Sequence, residues 1–318
     1  MSNRGWFVWE ELMTTDVAAA ATFYGKVAGL KTVKAPSDPN YTMLKASAGN
    51  MGGLVAMPAE AKAMGATPSW LSYISTDDAD ATARAAEALG GKAVRGPFDI
   101  ADGGRIAILQ DPQGVTFAIY ANPKSTGAPP APQLGHMSWH ELVTTDIVAA
   151  MHFYQQLFGW SLMTDMDMGP QGVYRMFGPA GSTAPFGGMY VKAAEQPGPM
   201  WLPYIRVADA RPATKTSKSL GANIIHGPAE VPGGGWISMG FDPQGVMFAL
   251  HSVPGKATAP KPASKAKAKA GAKKAKTAQP AKKKSTKPAK KKSAPAKKKS
   301  ASKKHVAKKA KRKAGAKK

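Results

Sequence analysis

The sequence predicts an α+β protein made by duplication, with four βαβββ modules in two tandem domains followed by a disordered basic tail. Three observations carry this. Trp9-Glu-Glu-Leu-Met-Thr-Thr-Asp16 returns as Trp139-His-Glu-Leu-Val-Thr-Thr-Asp146, and 11 of 21 positions agree between residues 9–29 and 139–159. Asp111-Pro-Gln-Gly-Val-Thr-Phe-Ala118 returns as Asp242-Pro-Gln-Gly-Val-Met-Phe-Ala249, seven of eight identical, at an offset of 131 residues against 130 for the first motif. Each copy is therefore a whole domain and not a solenoid repeat. Residues 255–318 hold 26 Lys and one Arg without an acid, while residues 1–254 hold 17 basic and 20 acidic side chains. A mildly acidic body carries a separate cationic tail.

Each element has its own warrant. Residues 7–14 read as a strand, and Asp16 is placed to cap a helix over 17–28. Gly29 falls where a left-handed residue ends that helix. Residues 41–46 and 54–57 read as short strands separated by glycines. A second strand–helix pair follows at 70–76 and 79–89, stopped by Gly90-Gly91. Strands at 105–109 and 115–120 are joined by Asp111-Pro-Gln-Gly114, whose Asp, Pro and Gly suit a type I turn. The second copy repeats the order. Domain boundaries fall at 1–126 and 135–254, with the Pro-rich stretch 127–134 as a stiff linker and 255–318 as the tail.

The opening strand, the Thr-Thr-Asp helix start, the Phe-Tyr…Gly helix end and the Asp-Pro-Gln-Gly hairpin resemble the vicinal oxygen chelate superfamily. That family includes glyoxalase I, bleomycin-resistance proteins and extradiol dioxygenases. The resemblance covers residues 5–253. It implies curled sheets that present His and Glu ligands to a divalent Lewis acid. Carried over one by one, the first-strand ligand falls on Trp9 and Trp139, and the final-strand Glu on Ala118 and Ala249. The fifth-strand His falls near Trp70–Leu71 and Trp201–Leu202, and the fourth-strand Glu among 51–57 and 186–191, where no acid occurs. Indole and alkyl side chains offer such a cation nothing. No cofactor is therefore expected, and enzymatic activity is doubtful on this reading. Relocated ligands would have to come from His136, His140 and Glu141.

The cup itself is expected to hold Trp9, Glu11, Trp70, Tyr73, Trp139, Glu141, Trp201 and Tyr204. Flat aromatic faces with one or two carboxylates suit a planar or cationic small molecule. The alternatives are a metal-dependent glyoxalase or dioxygenase with relocated ligands, and a non-catalytic nucleoid scaffold whose cups are filled.

The tail resembles those of linker histones and of tailed bacterial nucleoid proteins in composition and in repeats such as Pro280-Ala-Lys-Lys-Lys-Ser285. Its expected phosphate contacts are Lys282, Lys283, Lys284, Lys290, Lys291, Lys292, Lys297, Lys298, Lys299, Lys303, Lys304, Lys308, Lys309, Lys311, Arg312 and Lys313. Flexible point charges without aromatic side chains favour duplex DNA, or another polyanion, over single strands. The chain has no cysteine, which excludes disulfides and thiolate chemistry. No signal peptide, lipid anchor or long apolar run is evident, so a cytoplasmic, nucleoid-associated protein without a membrane partner is expected.

Overall fold

The computed structural model describes residues 3–254 apart from 64, 102, 125, 126, 195 and 197. The tail and its sixteen expected DNA contacts lie outside the described residues. The first copy comprises β1 (Phe7–Thr14), α1 (Val17–Ala28), β2 (Lys31–Ala35), β3 (Asp38–Ala46), β4 (Gly49–Ala56) and α2 (Ala59–Ala63), then β5 (Ser69–Ser75), α3 (Ala79–Ala88), β6 (Lys92–Asp99), β7 (Arg105–Gln110) and β8 (Thr116–Ala121). The second comprises β9 (Met137–Thr144), α4 (Ile147–Phe158), β10 (Trp160–Asp167), β11 (Val173–Pro179), β12 (Gly187–Val191), β13 (Met200–Arg206), α5 (Ala210–Ser219), β14 (Asn223–Val231), β15 (Gly235–Phe241) and β16 (Met247–Ser252). The sheets have the orders β2-β3-β4-β1-β5-β8-β7-β6 and β10-β11-β12-β9-β13-β16-β15-β14. Two βαβββ modules thus join edge to edge in each copy, as the duplication predicts.

Local chemistry explains the elements that were legible. Asp16 caps α1 by accepting from the Ala18 and Ala19 amides at 2.9 Å, and Gly29 ends it at φ 70°. Asp146 and Gly159 do the same for α4. Two strands per copy were not legible. β2 is an exposed edge without an alternating apolar signal, and β6 is an edge strand that carries Pro97. Proline is tolerated at edges but argues against a strand when met in sequence. β4 also starts five residues earlier than the 54–57 segment, because its glycines are required by contact rather than by turning. A Cβ on Gly52 would stand 2.0 Å from the Glu10 carbonyl oxygen of the neighbouring strand.

The sheets follow the repeat, but the cores do not. Leu12, Phe23, Tyr24, Leu54 and Trp70 of the first copy pack with Ile205, Phe248 and Leu250 of the second. Reciprocally, Ile74, Phe117 and Ile119 pack with Phe153, Tyr154, Trp160 and Trp201. Helix α1 lies beside α5, and α3 beside α4. Each core is therefore made of half of each copy.

The two repeated motifs complete one another across that boundary. Gln244 of the second hairpin turn accepts from Thr14 Oγ1 at 2.6 Å, Thr15 Oγ1 at 2.7 Å and the Asp16 amide at 2.7 Å. Its Nε2 donates to the Asp16 carbonyl at 2.9 Å. Gln113 holds Thr144, Thr145 and Asp146 in the same way. Behind each clasp a buried tyrosine donates to the turn aspartate of the other copy, Tyr24 to Asp242 and Tyr154 to Asp111, both at 3.1 Å.

At the centre of this arrangement Glu10 meets its repeat counterpart His140. Glu10 Oε1 lies 2.7 Å from His140 Nε2, Ser72 Oγ donates to Glu10 Oε2 at 2.7 Å, and Phe7 stacks on the imidazole at 3.6 Å. Both groups are buried. Burial pushes the Glu10 carboxyl upward, against the opposing pull of His140 and Ser72.

Candidate functional site

The face of each sheet turned away from the shared cores carries its own cluster of aromatic and aliphatic side chains, the cup expected from the sequence. In the first copy it consists of Trp9, Leu71, Tyr73, Phe98, Ile106 and Tyr120, with Ala118 beneath them. In the second, Trp139, Leu202, Tyr204, Ile237, Met239 and Met247 surround Ala249. Strand register aligns the centre of each cup: Trp9 pairs with Tyr73, and Tyr73 with Ala118. Trp139, Tyr204 and Ala249 form the matching row.

A carboxyl group sits beside each row, held by phenols. In the second cup Glu141 Oε2 accepts from Tyr174 Oη at 3.0 Å, and its Oε1 from Tyr204 Oη at 3.0 Å. Trp139 Nε1 in turn donates to Tyr174 Oη at 2.8 Å. The first cup repeats the chain: Trp9 Nε1 donates to Tyr41 Oη at 2.8 Å, and Tyr41 and Tyr73 both bond Glu11. Burial raises both carboxyl pKa values while the phenol hydrogen bonds oppose it, and Glu141 is pushed up to about 7. Here the low local dielectric outweighs two hydrogen bonds to the charged form. Tyr41 and Tyr73 are held far above the ordinary phenol range by burial and by Glu11.

Tyr41 and Tyr174 were not singled out from the sequence, yet they link the site. Their hydroxyls enter the cup because the facing residue of β4 or β12 is glycine. A Cβ on Gly53 would stand 2.0 Å from Tyr41 Oη, and one on Gly188 would stand 2.4 Å from Tyr174 Oη. Gly53 is also the register neighbour of Glu11, and Gly188 of Glu141. A glycine pair in a strand opposite a tyrosine was the available signal.

The expected pocket needs one correction. Trp9, Glu11, Tyr73, Trp139, Glu141 and Tyr204 face the cups, but Trp70 and Trp201 do not. They stand three residues before Tyr73 and Tyr204, and an odd spacing on a strand reverses the face. Trp70 packs edge-on against Tyr24 in one shared core, and Trp201 Nε1 donates to Tyr154 Oη at 3.1 Å in the other.

The residues of the cups do not suit a divalent cation. The positions that the superfamily resemblance assigns to ligands fall on Trp9, Trp139, Ala118 and Ala249, near Trp70–Leu71 and Trp201–Leu202, and within 51–57 and 186–191, where no acid occurs. Among the described residues no group of three His, Cys, Asp or Glu side chains converges on a point. His140 and Glu141 are consecutive on β9 and face opposite ways, His140 toward Glu10 and Glu141 toward the phenols. His136 stands just before β9, its Nδ1 buried without a hydrogen-bond partner, and does not join them.

Two eight-stranded sheets, each built from two βαβββ modules with an aromatic cluster at its centre, define the architecture of a two-domain glyoxalase-like protein. Comparison with known proteins agrees: the profile of the Glyoxalase/Bleomycin resistance protein/Dioxygenase superfamily matches residues 6–119 and again 133–250, and the chain belongs to that superfamily. It is 30% identical over 259 residues to the anthracycline biosynthesis protein DnrV of Streptomyces peucetius, covering 76% of this chain and 91% of that one. It is 29% identical over 245 residues to the putative glyoxylase CFP32 of Mycobacterium tuberculosis, covering 76% and 92%. The fold resembles that of the Mn(II)-bound glyoxalase from Novosphingobium aromaticivorans, with a TM-score of 0.58, 16% identity and coverage of 79% of this chain and 83% of that one. Among the described residues no helix is long and apolar enough to cross a membrane.

Proposed function

We propose that the body binds planar small molecules in its two cups without a metal ion, and that the lysine tail holds it on duplex DNA irrespective of base sequence. The observation that carries the first half is the central row of each cup. Where the superfamily resemblance puts cation ligands, this chain puts an indole and an alanine, with a phenol between them, while the nearby carboxyl is engaged by two phenols. Flat rings with a single hydrogen-bonding group favour stacking and apolar burial over Lewis-acid chemistry. Kinship with proteins named for anthracycline biosynthesis supports a small-molecule role.

A second reading is favoured by Glu141 alone. A carboxyl with a pKa of about 7 both gives and takes a proton near neutrality, which is what a general acid–base catalyst needs. The cup would then act on a bound molecule through this side chain and no metal.

The tail half of the proposal rests on composition. Twenty-seven cationic side chains without an acid release counterions on meeting phosphates, and the body's net charge of −3 offers phosphate no attraction. Titrating the full chain and residues 1–254 in parallel tests both halves, with naphthalene-2-carboxamide as planar probe and duplexes of two unrelated sequences. Both proteins are expected to bind the probe equally, and only the full chain the duplexes. The logarithm of its DNA affinity should fall by about 0.9 per phosphate neutralised for each tenfold rise in salt. DNA binding by residues 1–254, or preference for one duplex, contradicts the tail assignment.

A further inference from the structure

The two cups share the same central row but differ around it, and one of the differences lies on the edge strands β6 and β14. In the first cup, Arg95 on β6 places its guanidinium 4.5 Å from the centroid of the Phe98 ring, itself part of the cup lining. Its charge also reaches Tyr73 of the central row, where it opposes in small part the upward push of burial and Glu11. Arg95 is exposed, and no ion pair engages it among the described residues. The second cup has none of this. Register places His226 opposite Met239 where Arg95 stands opposite Ile108, and Ala229 opposite Ile237 where Phe98 stands opposite Ile106. The ring that carries the cation is therefore missing as well as the cation itself.

We infer that the first cup selects planar aromatic carboxylates, with the acid group at Arg95 and the ring over Trp9 and Tyr73, while the second cup takes uncharged rings. The inference rests on the cups being the binding sites of the body. A guanidinium pre-stacked on an aromatic ring loses less freedom on pairing than a free side chain, and its planar fork matches a carboxylate in two hydrogen bonds. A phenyl-backed arginine beside an aromatic floor thus recognises charge and flatness together. Glu11, beside the same row, is engaged by Tyr41 and Tyr73.

The pair 2-naphthoate and naphthalene-2-carboxamide separates charge from shape, since the two differ by little more than the charge. Both are titrated into the full chain, into Arg95→Gln and into His226→Gln, with tryptophan fluorescence as readout. The tail is common to all three proteins and cancels. The full chain is expected to bind naphthoate about tenfold more tightly than the amide. Arg95→Gln should lose that tenfold preference with amide binding unchanged, and His226→Gln should keep it. Equal affinity for the two probes, or a naphthoate preference that survives Arg95→Gln, overturns the selectivity while leaving the cups as binding sites. Binding of neither probe overturns both.

Discussion

Replacing His140 with leucine is expected to cost the body about 3–5 kcal/mol at pH 8, the usual penalty for removing one partner of a buried polar pair. Glu10 is left with only Ser72 in an apolar boundary between the two copies. The cost should shrink at pH 5, where Glu10 relieves its isolation by taking up a proton. The geometry also sets what a compensating change can do. Exchanging the residues, Glu10→His with His140→Glu, restores the hydrogen bond between them. It does not restore the Ser72 contact, because the register partner of residue 140 is Pro203, which has no donor. Partial recovery is expected for the exchange, and none for either single change. Denaturant melts of the five proteins at both pH values measure this. Equal stability of the parent and His140→Leu at pH 8 would show that the pair is not coupled to folding.

The pair also explains why the repeat is imperfect at this position. Two copies of the first domain docked in the same way would oppose two buried carboxylates, which repel and cannot both stay ionised. Glu10 in one copy and His140 in the other make each the better partner of the other. The Gln113 and Gln244 clasps are symmetric and do not discriminate in this way.

A comparably large effect is expected from Glu141→Gln, and it should depend on pH. The folded pKa of Glu141, about 7, lies above its ordinary value of 4.5, so the folded protein holds this proton more tightly than the unfolded chain. Its contribution to stability is complete below about pH 4.5 and is lost as pH rises through 7. A displacement of this size corresponds to about 3 kcal/mol across that window. The glutamine variant keeps polar partners for Tyr174 and Tyr204 but cannot ionise, so it should lack this loss and be more stable than the parent at pH 8. Other buried carboxyls shift in the same direction, Glu10, Glu11, Asp111 and Asp242 among them, so the difference between the two proteins is the informative quantity. Parallel stability curves from pH 4 to 8 would show that Glu141 does not hold a raised pKa.

Much of this molecule was legible because its elements obey local rules. Asp16 before an apolar helix, Gly29 after it and the Asp-Pro-Gln-Gly turn each specify a conformation within a few residues. What local rules could not reach was partnership. The two motifs that betray the duplication are the surfaces by which the copies hold each other, and nothing in either motif says that Gln244 belongs with Thr14. The shared cores are hidden for the same reason, since periodicity names the buried face and not what covers it. The site was half legible. Trp9, Glu11 and Tyr73 follow from one strand register, but Trp70 was assigned to the cup by residue type against strand parity. Tyr41 was missed because its role is created by a neighbour's lack of a side chain, at Gly53.

Calorimetric titration of chelator-treated full-length protein tests most directly whether the cups bind planar molecules without a metal ion. Naphthalene-2-carboxamide is titrated first, then Mn(II), Ni(II) and Zn(II), then the probe again in the presence of each metal. The expected result is saturable probe binding with the same affinity throughout, and no stoichiometric uptake of metal by the body (a control with residues 1–254 excludes a contribution from His305). Tight binding of one metal per domain, with probe binding that appears only after the metal is added, would contradict the account.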